Sequence, residues 1–290
     1  MGDRIVNSVS WPAPAKLNLF LQILGRREDG YHNLQTVFQL LEFGDVLDFL
    51  LTGDGKIKIY GNNKEIRPED DLIFRAARLL KERAAVGLGA VINVVKRIPV
   101  GGGLGGGSSD AATTLTALNE LWGTGLPAQQ LAELGLALGA DVPVFIHGQS
   151  AWAEGVGDEL VPVHLPEDWF LIIHPGCHVS TAAIFNMPDL TRNSSPITIR
   201  DFSAGAGHND CEAVVFREYP EVARVAAWLQ RWTEPVLTGT GACIFGRFDN
   251  QAAALVVLDQ LPREWLGFVS RGKNTSPLLD RLAQARRQTA

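Results

Sequence analysis

The sequence predicts an α+β protein of two domains, residues 1–160 and 161–290, on three observations. A chain of 290 residues is long for one compact unit and ample for two packed ones. The first half carries a β-branched run, Ala90 to Ile98, that ends at Pro99 and passes through a glycine-rich loop into a helical repeat. The second half mixes apolar strand-like runs with helical ones, in the manner of a separate α+β unit beginning near residue 160. Composition agrees with a globular chain, with 46% hydrophobic and 20% charged residues.

In chain order, the first element is the run from Lys16 to Leu24, which alternates with period two. Leu17, Leu19, Leu21 and Ile23 share one face of the strand, and Lys16, Asn18, Phe20 and Gln22 share the other. Lys16 and Asn18 therefore stand on one side near the start of a strand, where a lysine is either a solvated end or a placed cation. Arg26 to His32 follows as a loop, with Asp29-Gly30 as its turn. Tyr31 and His32 beside that turn suit either a surface position or contact with a flat base.

After the strand at Ala90 to Ile98 come Pro99, Val100, Gly101, Gly102, Gly103, Leu104, Gly105, Gly106, Gly107, Ser108 and Ser109, with six glycines among them. Glycine lets backbone N–H groups converge on an anion without Cβ obstruction, and a helix beginning after the loop adds unpaired donors and a positive dipole end. The helix is expected to start at the Ser109-Asp110 boundary, where Ser and Asp suit capping. Ala111, Leu115, Leu118 and Trp122 repeat along it, and Gly123 stops it. A Walker loop fits poorly because Ser108 and Ser109, not Lys and Ser or Thr, follow Gly107. A dinucleotide fingerprint also fits poorly, since Glu133 falls within a second helical pattern rather than at a strand end.

That second helix runs from Pro127 to Gly139, with Leu131, Leu134 and Leu138 inward. A helix cannot run on through Pro143, so Asp141 lies in the bend leading to Val144. A carboxylate there either caps backbone N–H groups or is a candidate base. Further on, Trp169 to Ile173, Cys243 to Phe245 and Leu266 to Val269 read as strands, and Pro220 to Trp232 and Ala252 to Leu261 as helices. Thr191 to Asn209 reads as a polar, mobile loop. Leu237 to Gly246 holds a second glycine loop, most simply a hairpin turn. His174, Cys177 and His178 are read as an ordinary strand-end turn, because no tight ligand cluster partners them.

A net charge of −6 argues against DNA or RNA as partner, and no apolar run approaches a membrane span. Three scattered cysteines and an amino terminus without a signal or transit pattern suit a cytoplasmic protein.

Several segments in order carry a resemblance: Pro14-Ala-Lys-Leu-Asn-Leu19, Asp29-Gly-Tyr-His32, the loop from Pro99 to Ser109, Leu138-Gly-Ala-Asp-Val-Pro-Val-Phe145, Glu154-Gly-Val-Gly157 and Leu237-Thr-Gly-Thr-Gly-Ala-Cys243. Together they resemble the GHMP small-molecule kinases over nearly the whole chain. The resemblance implies a ribosomal-S5-like amino-terminal domain and a ferredoxin-like carboxy-terminal one. It implies ATP and Mg²⁺, with the loop from Pro99 to Ser109 around the ATP phosphates and no protein ligand assigned to the metal. Asp141 would take a proton from the C2 hydroxyl of a cytidyl-diphosphate-linked methylerythritol, in non-mevalonate isoprenoid precursor synthesis, and Lys16 would hold Asp141 ionised. Tyr31 and Phe185 would sandwich the cytosine, His32 would bond its edge and Asn18 would seat the substrate. Thr240 and Gly241 would back the phosphates.

Where Asp71 stands, enzymes of this kind often carry Asn, which leaves the adenine contacts open. The expected partner is a small molecule, and the expected state is a monomer or weak homodimer. The rival readings are a mevalonate- or sugar-type kinase, which should lack the Tyr31, His32 and Phe185 pocket, and a nucleotide-binding module without turnover.

Overall fold

The alternating run at Lys16 lies inside a 16-residue strand, β1 (Trp11–Arg26), that folds back on the 21-residue β2 (His32–Thr52). The computed structural model describes residues 10–61 and 67–289, so the amino-terminal segment read above for a leader lies outside the described residues. Irregular register between Pro14 and Lys16, and between Asn18 and Leu21, bends β1 against its partner. Both faces of β1 are covered: Lys16, Asn18, Phe20 and Gln22 are as buried as Leu17 and Ile23. Lys16 is therefore not a solvated strand end. The second half of the chain bonds directly to β1, with Leu21 N donating to His208 O and Asn18 N to Thr238 Oγ1.

β3 (Ile57–Tyr60) pairs in parallel with β4 (Gly89–Val95), and β4 runs antiparallel to β2. Between β3 and β4 a short 3-10 turn, Pro68–Asp70, leads into α1 (Leu72–Arg83), whose first amides are capped by the Asp71 carboxylate at 2.8 Å from Ile73 N. After β4 the glycine loop enters α2 (Gly106–Leu121). The helix starts inside the glycine run, not at Ser109-Asp110, and its cap is Gly105 with no side-chain bond. Gly105 has a φ of +72°, and a Cβ there would come 2.8 Å from Phe145. Only glycine turns the chain into the helix this early. Asp110 is then free for an ion pair instead of a cap.

α3 (Ala128–Leu136) and α4 (Val142–His147) pack against each other and lead to β5 (Ala151–Glu154) and β6 (Glu159–Pro162). The second half contains β7 (Trp169–His174), α5 (Thr181–Phe185), α6 (Ile199–Ser203), α7 (Glu212–Glu218) and α8 (Pro220–Leu229), then β8 (Val236–Leu237), β9 (Ile244–Phe248), α9 (Gln251–Leu258), β10 (Leu266–Lys273) and α10 (Pro277–Thr289). The 191–209 segment is more ordered than a plain loop. Thr198 and Asp201 form a capping box that starts α6, and Ser194 N donates to Ile23 O of β1.

Among the described residues ten strands join in one sheet, with the path β3-β4-β2-β10-β7-β9-β8 and with β1 and β5 also on β2. The halves meet where β10 pairs with β2 at Leu40 and Leu41. Leu278 and Ala285 of α10 return to the first core, under β2, β4 and α2, and Leu21 and Ile23 of β1 enter the second. A third cluster, with Leu17, Ile98, Leu104, Cys243 and Phe245, lies between the two. Among the described residues no helix is long and apolar enough to cross a membrane.

The second glycine loop is indeed the turn of a hairpin, between β8 and β9. It also interlocks with the first: Ala242 N donates to Gly101 O at 3.0 Å and Cys243 N to Gly102 O at 3.1 Å. Gly103 sits at the closest approach, with a φ of +76°, and a Cβ there would lie 2.2 Å from Thr238 O. Gly103→Ala is expected to cost both left-handed strain of ~1–2 kcal/mol and overpacking of ~1–3 kcal/mol. Gly123→Ala, at a similar φ of +67° with open space around it, should cost the strain alone. Denaturant titration of the two variants measures the difference, and equal losses would show that the interlock does not resist a methyl group.

Candidate active site

An ammonium removed from water requires acceptors, and the Lys16 side chain is 4% exposed. Its Nζ donates to Asn18 Oδ1 on its own strand and lies 3.3 Å from Asp141 Oδ2, with the Phe38 ring 5.3 Å away. Asp141 immediately precedes α4 and makes no side-chain cap bond. Pro143 in the first turn of α4 removes one of the two amides that a capping carboxylate would use, so the Asp141 side chain turns to Lys16. At 34% side-chain exposure it remains open to a ligand. The structure thus brings together the two charged residues singled out from distant parts of the sequence.

Asn18 ties this pair to the rest of the molecule. Its Nδ2 donates to Thr36 Oγ1 at 2.9 Å, and that hydroxyl donates to Phe20 O. Its backbone N donates to Thr238 Oγ1 at 2.9 Å, at the start of the second glycine loop. Asn209 holds that loop from behind, with Nδ2 donating to Leu237 O and Gly239 O.

Lys16 and Asp141 open on a cleft of about 790 Å³. The first glycine loop lines it from Pro99 to Ser108; Ser109 is fully buried behind. Carbonyls of Gly101, Gly102 and Leu104 accept bonds from the Ala242, Cys243 and Lys16 amides, so carbonyls rather than amides anchor the loop to the protein. The open N-terminal turn of α2 adds its own unpaired donors. Thr240 borders the cleft, with its hydroxyl 2.9 Å from that of Thr181, and Gly241 follows it with a φ of +90°. On another flank, Asp71 and Lys96 line the wall, and Asp71 is engaged at the α1 cap.

Phe185, the last residue of α5, lines the cleft beside Val156 and Gly157. The His32 ring stacks on it at 5.0 Å and 23°. His32 Nε2 accepts from Arg192 Nε at 3.1 Å, and the same guanidinium donates to the Phe185, Met187 and Leu190 carbonyls. Burial first, then Arg192 and Arg26, hold the His32 pKa below the usual histidine value. Tyr31 stands apart from this stack, 63% exposed, with its amide bonded to Asp29.

Beneath the loop lies a charge cluster that the sequence reading missed. Lys96 Nζ donates to Asp45 Oδ2 and, at 2.6 Å, to Asp110 Oδ2. Asp45 Oδ1 also accepts the amides of Arg97 and Ile98, the stem that enters the loop. Burial works against the Lys96 ammonium, yet the two carboxylates raise its pKa above the usual lysine value. Burial pushes the Asp110 carboxyl up to about 7, with Lys96 opposing and Asp45 adding. The only sequence signal was a lysine just before the loop and an aspartate just after it. Arg192 and Asn209 gave none, since both lie in a polar stretch without periodicity.

The chain is similar to known proteins. The family model "GHMP kinases N terminal domain" matches residues 71–149. A 4-diphosphocytidyl-2-C-methyl-D-erythritol kinase of Alkalilimnicola ehrlichii is 55% identical over 94% of this chain and 94% of its own. One from Nitrosococcus oceani is 54% identical over 93% and 96%. A crystal structure of 4-(cytidine 5'-diphospho)-2C-methyl-D-erythritol kinase superposes with a TM-score of 0.77 at 32% identity, covering 91% of this chain and all of that one. A mevalonate kinase structure, at 17% identity and a TM-score of 0.68 over 92% of this chain and all of its own, shares the fold. The two-domain α+β reading is thus the GHMP kinase fold. The chain belongs to the 4-diphosphocytidyl-2-C-methyl-D-erythritol kinase family of ATP-dependent GHMP phosphotransferases.

Proposed function

We propose that this chain transfers the γ-phosphoryl group of ATP to the C2 hydroxyl of 4-diphosphocytidyl-2-C-methyl-D-erythritol, giving the 2-phosphate and ADP. The observation that carries the reading is the Lys16–Asp141 pair, 3.3 Å apart at the mouth of a glycine loop in a cleft of about 790 Å³. Phosphoryl transfer needs in-line positioning and charge stabilisation more than covalent help. Asp141 accepts the hydroxyl proton as the oxygen attacks phosphorus and the bond to the ADP oxygen breaks. Lys16 pairs with the Asp141 carboxylate and faces the charge on the phosphoryl oxygens. The amides of residues 101–108 hold the phosphates, and Thr240 and Gly241 back them.

Among the described residues no three His, Cys, Asp or Glu side chains gather to hold a metal. A Mg²⁺ carried in on the phosphates needs one or two protein oxygens, and Asp141, part-exposed on the cleft, is the carboxylate that would meet it. When bound, Mg²⁺ would neutralise phosphate charge.

Phe185 and His32 supply a flat aromatic wall for the cytosine, with Tyr31 the residue available to close over the other face. Asn18 seats the polyol. In this reading residues 1–160 carry the nucleotide loop and residues 161–290 contribute Phe185 and Thr240, with α10 returning to the first core. The protein acts in the cytoplasm on a small molecule, as a monomer or weak homodimer.

A coupled ADP-release assay should give turnover with the cytidyl diphosphate substrate and none with mevalonate or galactose; the opposite preference would discard the substrate assignment. Asp141→Asn should lower kcat by about a hundredfold or more while ATP still binds, given the usual size of general-base effects. Near-normal turnover would remove Asp141 from the mechanism. Phe185→Ala should raise KM for the cytidyl substrate about tenfold and leave KM for ATP unchanged, given ~1–3 kcal/mol per stacked base. Equal rises in both constants would place Phe185 outside a base pocket.

A further inference from the structure

The cluster beneath the glycine loop holds two carboxylates for one ammonium. Asp45 is fully buried on β2 and Asp110 is 3% exposed on α2, and both bond Lys96 Nζ. Asp45 uses its second oxygen on the Arg97 and Ile98 amides. Asp110 has no such outlet: its Oδ1 is buried without a hydrogen-bond partner. With all three groups ionised, the cluster carries one unneutralised negative charge inside the wall of the cleft. A position in the first turns of α2 places that charge next to the amides that take the phosphates.

The surroundings do not relieve it. The groups acting on Asp110 are Lys96 and Asp45. Of the other elements around it, β1 brings Lys16, already paired with Asp141 ahead of α4, and the start of α1 brings Asp70 and Asp71. α10 places Arg281 over the Trp11 ring and bonds Arg286 to Glu120. A triphosphate adds several negative charges to a cleft wall that holds four aspartates and two lysines. Protonating Asp110, whose Oδ1 is buried without a partner, lowers that repulsion.

We infer that Asp110 takes up a proton when the nucleotide triphosphate enters the glycine loop, with Lys96 and Asp45 as the positioning residues that leave this carboxylate poised to accept it. The inference rests on the reading that the loop from Pro99 to Ser109 binds the ATP phosphates. The proton comes from solvent and goes to Asp110, and no other bond changes. The burial that raises the Asp110 pKa toward 7 places the transition near neutral pH. The sign follows from linkage: the complex binds more protons than the free enzyme, so affinity falls as pH rises. Below the free-enzyme pKa both states hold the proton and affinity is flat. Above it the complex still holds the proton and affinity drops, by up to about tenfold per pH unit.

The test is isothermal titration calorimetry of the full chain with Mg²⁺ and a non-hydrolysable ATP analogue, in buffers of different ionisation enthalpy, from pH 6 to 8.5. The wild type should take up about half a proton at pH 7, because a group with a pKa near 7 is half protonated beforehand. Asp110→Asn, an isosteric mimic of the protonated form, should lose that uptake and bind at pH 8 at least as tightly as wild type. A merely structural role for Asp110 would instead weaken binding at every pH. Should Asp110→Asn fail to fold, Asp45→Asn keeps an oxygen for the Arg97 and Ile98 amides and frees Lys96 for Asp110, moving the uptake to lower pH. Binding without proton uptake, or uptake unchanged in Asp110→Asn or unshifted in Asp45→Asn, overturns the inference and leaves the phosphate loop standing. No binding of the analogue to wild type overturns the loop reading and the inference with it.

Discussion

The buried ammonium of Lys16 is the constraint on which the site depends. Moving such a charge out of water costs several kcal/mol unless its surroundings supply acceptors in good geometry. Here they come from three places: Asn18 on the same strand, Asp141 from the bend before α4, and the ring face of Phe38 on β2. Each acceptor is oriented by something further away. Thr36 sets the Asn18 amide, Thr238 holds the Asn18 backbone, and Pro143 leaves the Asp141 carboxylate uncommitted. The sheet register, the hairpin loop and the α3–α4 bend must all be right at once, or the charge is stranded.

The same constraint explains why the two halves of the chain are not independent. The hydrogen bonds of Ala242 and Cys243 to the first glycine loop are backbone bonds, so they fix the loop's path whatever side chains surround it. β10 on β2 fixes the angle between the halves from the other side. A cleft assembled on such a seam has one wall from each half, so the first glycine loop and Phe185 share one space without either being built into the other.

Much of this was legible in the sequence because it rests on local rules. The alternation after Lys16, the strand-to-loop-to-helix passage at Pro99 and the break at Pro143 each follow from backbone geometry within a few residues. The helix start was misplaced because the capping rule for Ser and Asp competes with a left-handed glycine cap, and the close packing of Phe145 and Lys16 against Gly105 decides for the latter. The charge of Lys16 was readable, but its burial was not, since its neighbours Phe38, Leu104 and Asp141 come from distant parts of the chain. The Asp45, Lys96 and Asp110 cluster was invisible for the same reason. Arg192, which ties the His32 ring to the Phe185 backbone, sits in a stretch whose composition reads as solvent-facing loop.

A protein with a net charge of −6 that binds a polyanion must solve a problem of sign. Free lysines contribute little, since Lys16 and Lys96 are the two lysines on the cleft wall and both are engaged with carboxylates. What the protein itself offers beyond these pairs is neutral: the N–H dipoles of a glycine loop and the open first turn of α2, which favour an anion over a short range only. Short range is an advantage here. A wall of free lysines would draw any phosphate from solution and hold the product as firmly as the substrate. Dipoles at the end of one helix act within about a turn, so only a phosphate already aligned by the rest of the cleft feels them in full.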